Sequence, residues 1–281
     1  TVPAGVAGLT AVELPPLAKR SHFGRLFLVD VYDSTSYVTD GLAAQYDGID
    51  NVLREGVRGH DAAARTWSDL TGGGADVALP DYVSVKSAYL LSSNHVGQSA
   101  ASVVVQGISS NTPALTVESV AKCVWKVRDD MGNLQPTCTT PLGAIGYRNN
   151  ADNGFFQYVP GSQNNLALYD WYPVGVNRGD VHTLVAALTY RGSAFYIDAV
   201  HYEKGSNGYY NPARSDKCTF FSTPRIELGL YGVRIYSRIL TKEEVAWNSA
   251  VDDVRFRGKA APSRASDVVD FRGPGLTVFV R

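Results

Sequence analysis

A chain of 281 residues with 44% hydrophobic side chains has ample material for a full core, in one large β domain or two ordinary ones. Its 26 basic and 27 acidic side chains leave a net charge of −1, which gives no basic footprint for nucleic acid. No run approaches the roughly 20 apolar residues of a membrane-spanning helix, and abundant Tyr, Val, Thr and Gly favour pleated strands joined by turns.

Residues 1–36 read as an N-terminal extended arm, with strand-like runs at Gly8–Leu14 and Phe23–Tyr32. The start at Thr1-Val2-Pro3 is that expected of a processed or trimmed chain. A polar stretch leads to His60, and the triple glycine Gly72-Gly73-Gly74 marks a turn. Strand-like runs then recur at Ser84–Leu91, Ala101–Gly107, Ala114–Val120, Cys123–Val127, Phe155–Val159, Val181–Tyr190, Ala194–His201 and Arg225–Leu230. Short strands at fairly even spacing point to an all-β antiparallel sandwich or barrel. The lack of alternating helices argues against a doubly wound fold.

One helix is expected, at 242–254. Thr241 is its N-cap with Glu244 three residues on, the arrangement in which side chain and backbone satisfy each other's orphan donors. Leu240 and Val245 take the staple positions, and Trp247, Val251 and Val254 form the apolar stripe. A tail at 258–281 follows, with a last strand-like run at Gly275–Val280.

Cys123 and Cys138 flank Asp129-Asp130-Met131-Gly132, so a tight hairpin centred there would set them opposite each other. A disulfide between them would stabilise by about 3 kcal/mol; the alternative is that Cys123, Cys138 and Cys218 are separate buried thiols.

The stretch YGVRIYSRILTKEEVAWNSAVDDVRF (Tyr231–Phe256) resembles the C-terminal signature of laminin-G-like, concanavalin A-like lectin/glucanase domains of bacterial surface and secreted proteins. GLAAQYDGIDN and ARTWSDLTGGGAD resemble the start of such domains, and FYIDAV resembles their YIDG strand with Ala199 in place of the glycine. The resemblance frames 37–257 and implies a two-sheet jelly roll, extracellular, commonly an adhesion or carbohydrate-binding module.

Retaining β-glucanases on that fold place two glutamates about 5–5.5 Å apart, one as nucleophile and one as acid. The spacing E-x-D-x-x-E is absent here, and Glu243 and Glu244 belong to the helix start. His22, His60, His95, His182 and His201 stand apart, with no G-x-S-x-G elbow and no zinc-ligand spacing. No catalytic residues are therefore expected.

The resemblance makes calcium the expected metal, in a structural role. Asp47, Asp50 and Asn51 offer three side-chain oxygens in five residues, and Asn150, Asp152 and Asn153 a second group. The same residue types also serve simply to make turns.

A sugar site needs aromatic faces for C–H patches and amides or carboxylates for hydroxyls. Tyr169-Asp170-Trp171-Tyr172 and Tyr209-Tyr210-Asn211 are the densest such loops, with Trp171, Tyr172, Tyr209, Tyr210 and Asn211 as candidate ligand residues. Surface tyrosines equally suit protein contacts.

The expected function is a non-catalytic extracellular glycan-binding or adhesion module. Two alternatives are a filament subunit that pairs its terminal strands with other copies of itself, and an atypical polysaccharide-active enzyme on the same fold.

Overall fold

The computed structural model describes residues 36–78, 83–86, 89–92, 101–105, 108, 112–123, 142–143, 156–158, 165–168, 172–177, 180–189, 192–202, 217–220 and 228–259. All of them fall within one compact unit, Tyr32–Arg281. In chain order the strands are β1 (Leu42–Asp47), β2 (Val52–Arg54), β3 (Val57–Gly59), β4 (Thr66–Trp67), β5 (Val77–Ala78) and β6 (Val83–Lys86). Next come β7 (Tyr89–Ser92), β8 (Ala101–Val104), β9 (Ala114–Cys123), β10 (Leu142–Gly143), β11 (Phe156–Tyr158) and β12 (Asn165–Leu168). The last are β13 (Tyr172–Asn177), β14 (His182–Thr189), β15 (Gly192–Ile197), β16 (Val200–Tyr202), β17 (Lys217–Phe220) and β18 (Leu228–Tyr236), followed by the helix α1 (Lys242–Arg257). This is an all-β sandwich of antiparallel sheets with a single helix among the described residues, the expected fold class.

The main sheet has eight strands in the order β16-β15-β14-β9-β18-β7-β6, with β1 also paired to β18. Both faces of its central strands are buried, and for that reason β14 reads as a continuous apolar run, not an alternating one. Successive side chains still point to opposite faces. Thr116 and Glu118 of β9, Thr183 and Val185 of β14, and Arg234 and Tyr236 of β18 bond or pack to the C-terminal segment that ends in α1. Leu115, Val117, Leu184, Ala186, Val233 and Ile235 fill the opposite face.

Several boundaries differ from expectation for one physical reason: hydrophobic period does not reveal a two-residue reversal between apolar arms. The run Ser84–Leu91 is two antiparallel strands, with Lys86 opposite Tyr89. Ala194–His201 likewise folds into β15 and β16, with Ile197 opposite Val200. The turn residues Asp198 and Ala199 have φ of 49° and 66°, the left-handed pair a two-residue hairpin needs. Conversely, Ala114–Val120 and Cys123 belong to one ten-residue strand.

The helix start follows its sequence. Thr241 N donates to Glu244 Oε2 at 2.8 Å and Glu244 N donates to Thr241 Oγ1 at 3.2 Å. The C-terminal end lies beyond Val254, at Arg257, where Gly258 adopts the left-handed cap (φ 66°). Basic Arg255 and Arg257 in the last turn suit the macrodipole and extend the helix past its apolar stripe.

Candidate functional site: a charge network under the helix

Arg234 sits mid-strand in β18, directly opposite Glu118 of β9 and flanked on its other side by Gln45 of β1. From above, α1 lowers Asn248 and Asp252, which stand four residues apart and so share a face. Their side chains are as buried as the apolar stripe beside them.

The Arg234 fork donates from Nη1 to Asp252 Oδ1 at 2.8 Å and from Nη2 to Oδ2 at 2.7 Å. Its Nε donates to Glu118 Oε2 at 2.6 Å. Asp252 also accepts from Tyr37 OH at 2.8 Å and from Thr183 Oγ1 at 2.7 Å. Asn248 Nδ2 donates to Glu118 Oε2 at 2.8 Å and to Tyr236 OH at 3.0 Å, and its Oδ1 accepts from Val38 N at 3.0 Å. Tyr236 OH donates in turn to Val38 O at 3.0 Å. The Tyr37 ring lies 4.0 Å from the guanidinium carbon, a cation–π contact in a dry setting.

The network therefore joins three parts: the sheet, α1, and the segment 36–38 that leads into β1. Trp247 Nε1 adds a bond to Ser36 O at 2.9 Å. Arg234 is 1% exposed, and Glu118 and Asp252 are 0% exposed. Burial works against the Arg234 charge, but its acidic partners, Asp252 first among them, outweigh it and hold the guanidinium firmly protonated. Burial also raises the Tyr37 and Tyr236 hydroxyls, so both remain neutral donors. Chemically this is a clasp, with both carboxyl groups sealed from solvent.

The expected calcium residues do lie together at the end of β1. Asp47 Oδ1 accepts from Ile49 N at 2.7 Å and Asp50 N at 3.2 Å, closing the loop. Its Oδ2 faces Arg255, whose Nη2 also meets Asp50 Oδ2 at 3.0 Å. Asn51 is consumed by Asp61: its Nδ2 donates to Asp61 O at 2.9 Å and its Oδ1 accepts from Asp61 N at 2.7 Å. A guanidinium is thus the cation between the carboxylates, and these residues do not offer the six to eight oxygens calcium takes. Among the described residues no group of three or more His, Cys, Asp or Glu side chains is placed to hold a metal. Trp67 Nε1 donates to Asp47 O at 2.9 Å, and His60 Nδ1 donates to Ile49 O at 2.9 Å, so both pin the same loop.

A second polar cluster lies where α1 ends. His182 Nδ1 donates to Asp198 Oδ2 at 2.6 Å, Thr183 N donates to Asp198 Oδ1 at 2.9 Å, and Arg257 pairs with the same carboxylate. Burial alone would raise Asp198, yet the His182 hydrogen bond and the Arg257 charge hold it below the usual carboxylate range.

Of the expected ligand residues, Tyr172 opens β13 opposite Leu168. Trp171, Tyr209, Tyr210 and Asn211 lie outside the described residues, as do Asn150, Asp152, Asn153 and Cys138. Cys123 ends β9 opposite Leu228, and Cys218 lies in β17 opposite Val103. Sequence reading missed the clasp. Its signal is Asn248 and Asp252 at i and i+4, each immediately following a residue of the apolar stripe.

No protein-family model and no curated protein matches the chain. Among solved structures, the Trypanosoma rangeli sialidase in complex with sialic acid is similar at a TM-score of 0.52 and 13% identity, covering 79% of this chain and 34% of the sialidase. The same sialidase with 2,3-difluorosialic acid, as the covalent intermediate, is similar at 0.50 and 14% identity, again covering 79% and 34%. The chain therefore spans about a third of the length of those proteins. The likeness extends to the fold. No helix among the described residues is long and apolar enough to cross a membrane.

Proposed function

We propose that the protein is a non-catalytic carbohydrate-binding module of the laminin-G-like, concanavalin A-like type, acting outside the cell. The observation that carries this reading is the fold: an antiparallel sandwich whose most similar solved structures include a sialidase holding sialic acid. The placement of the polar groups supports it. The paired acidic groups among the described residues, Glu118 with Asp252 and Asp47 with Asp50, each face an arginine of the fold. Binding chemistry is then proposed for the two aromatic clusters of the sequence, with Trp171, Tyr172, Tyr209, Tyr210 and Asn211 as the groups for sugar faces and hydroxyls. Acidic sugars such as sialic acid belong in the first panel of ligands, because of the sialidase likeness.

A glycan array probed with the full chain, with and without calcium, tests the proposal. Binding to at least one glycan class is expected, weakened when Tyr209 and Tyr210 are both changed to Ala. Failure on every class in both conditions overturns it.

A further inference from the structure

The clasp contains two carboxylates and one guanidinium. The fork of Arg234 is committed to Asp252, which also receives Tyr37 and Thr183. Glu118 receives only Nε and the Asn248 amide, both on Oε2. Its Oε1 is buried and has no hydrogen-bond partner among the described residues. Around Glu118, β18 contributes Arg234 and Tyr236, α1 contributes Asn248 and Asp252, the 36–38 segment contributes Tyr37, and β14 places Val185 opposite Glu118. Arg257 of α1 reaches the edge of the cluster at Thr183 Oγ1, 3.1 Å away, on the Asp252 side. The one guanidinium inside the clasp cannot compensate two carboxylates, and an oxygen at 0% exposure with no donor among the described residues is a costly place for the surplus charge. A neutral acid at the same place leaves at most one weakly satisfied hydroxyl, the smaller penalty.

We propose that Glu118 is the buried proton site of this domain, a carboxylic acid kept neutral inside the fold, and that losing this proton loosens the clasp of α1 and the 36–38 segment on the sheet. The step is a simple ionisation: when α1 lifts, the proton passes to solvent and the carboxylate remains. Burial is the largest influence on the Glu118 carboxyl and raises it, against the pull of Arg234. The sign follows from that direction. The folded chain holds the proton more tightly than the unfolded chain, whose ordinary value is 4.5. The stabilising contribution is complete below that value and is lost as pH rises through the raised one, by up to about tenfold in the unfolding constant per pH unit. The device is independent of whether a glycan binds.

Infrared spectroscopy of the intact chain at neutral pH reads the proton directly. The expected result is a protonated-carboxyl C=O band that is missing in Glu118→Gln. Denaturant unfolding from pH 5 to pH 8 reads the linkage: the wild type should lose stability relative to Glu118→Gln as pH rises. In Asp252→Asn the Arg234 charge is left for Glu118 alone, and the band should vanish although Glu118 is present. A wild type that lacks the band overturns the proposal even if neither variant folds, and a wild type whose stability does not fall from pH 5 to pH 8 does the same. A wild type without the band, or a band that persists in Glu118→Gln, overturns the proposal.

Discussion

Arg255 shows how one side chain can set the chemistry of a loop. Burial pushes the Asp47 carboxyl up, and the Arg255 charge opposes that rise. Removing the guanidinium would leave two carboxylates facing one another at the end of β1. Arg255→Ser should therefore cost about 3 kcal/mol in denaturant unfolding, and millimolar calcium should restore part of it. The wild type should show no such calcium response; a calcium-dependent rise in its Tm with Arg255 intact would contradict the assignment. Ala199 illustrates the opposite case, a residue at odds with its backbone. Its φ of 66° belongs to glycine, the residue the YIDG pattern carries there. Ala199→Gly should gain about 1 kcal/mol, measurable as a higher midpoint in urea. Asp198, next to it, titrates with the opposite sign to Glu118. Its carboxyl is lowered from 3.8, so its contribution is present above that value and lost as pH falls through the lowered one. Asp198→Asn should flatten the acid limb of the stability profile, which stepwise acid unfolding would reveal.

At the scale of elements, α1 was the most legible part of the chain, because cap, staple and stripe all agree on it. Its capping box forms as the sequence implies, and Arg238 adds a bidentate grip on Glu244 at 2.8 and 2.6 Å. Thr241→Ala should cost about 1 kcal/mol, seen by thermal unfolding, since Glu244 keeps Arg238 when the threonine is lost. What stayed hidden is the inward polar face. Asn248 and Asp252 look like solvent residues by type, and their burial is made tolerable by Arg234 and Glu118 together with Tyr37, Thr183, Tyr236 and the Val38 backbone. No local pattern encodes that pairing, because it spans β9, β18 and the helix. The strand β1 was illegible for a related reason: LAAQYD has no clear alternation, and its place beside β18 is fixed by long-range register, with Ala44 opposite Ile235. The hairpins β6–β7 and β15–β16 were hidden by brevity, each a pair of apolar arms read as a single run.

Across the described residues, the clasp joins segments that lie far apart in the chain. The 36–38 segment is tied to α1 by Trp247, Asn248 and Asp252, and Asn248 and Asp252 join both to the buried cluster of the sheet. The Tyr231–Phe256 stretch thus carries architectural information: Arg234, Asn248 and Asp252 belong to the clasp, and Glu244 completes the cap. The scaffold was therefore legible in the sequence, while the binding chemistry proposed for the loops depends on aromatic groups that no periodic pattern marks. The proposed function is binding without turnover. Its most direct test is to incubate the full chain with a panel of sialylated and neutral oligosaccharides, following bound ligand and released sugar in the same samples. Saturable, reversible binding of at least one oligosaccharide recovered intact is the predicted result. Release of free sugar, or the absence of saturable binding to any member of the panel, would contradict it.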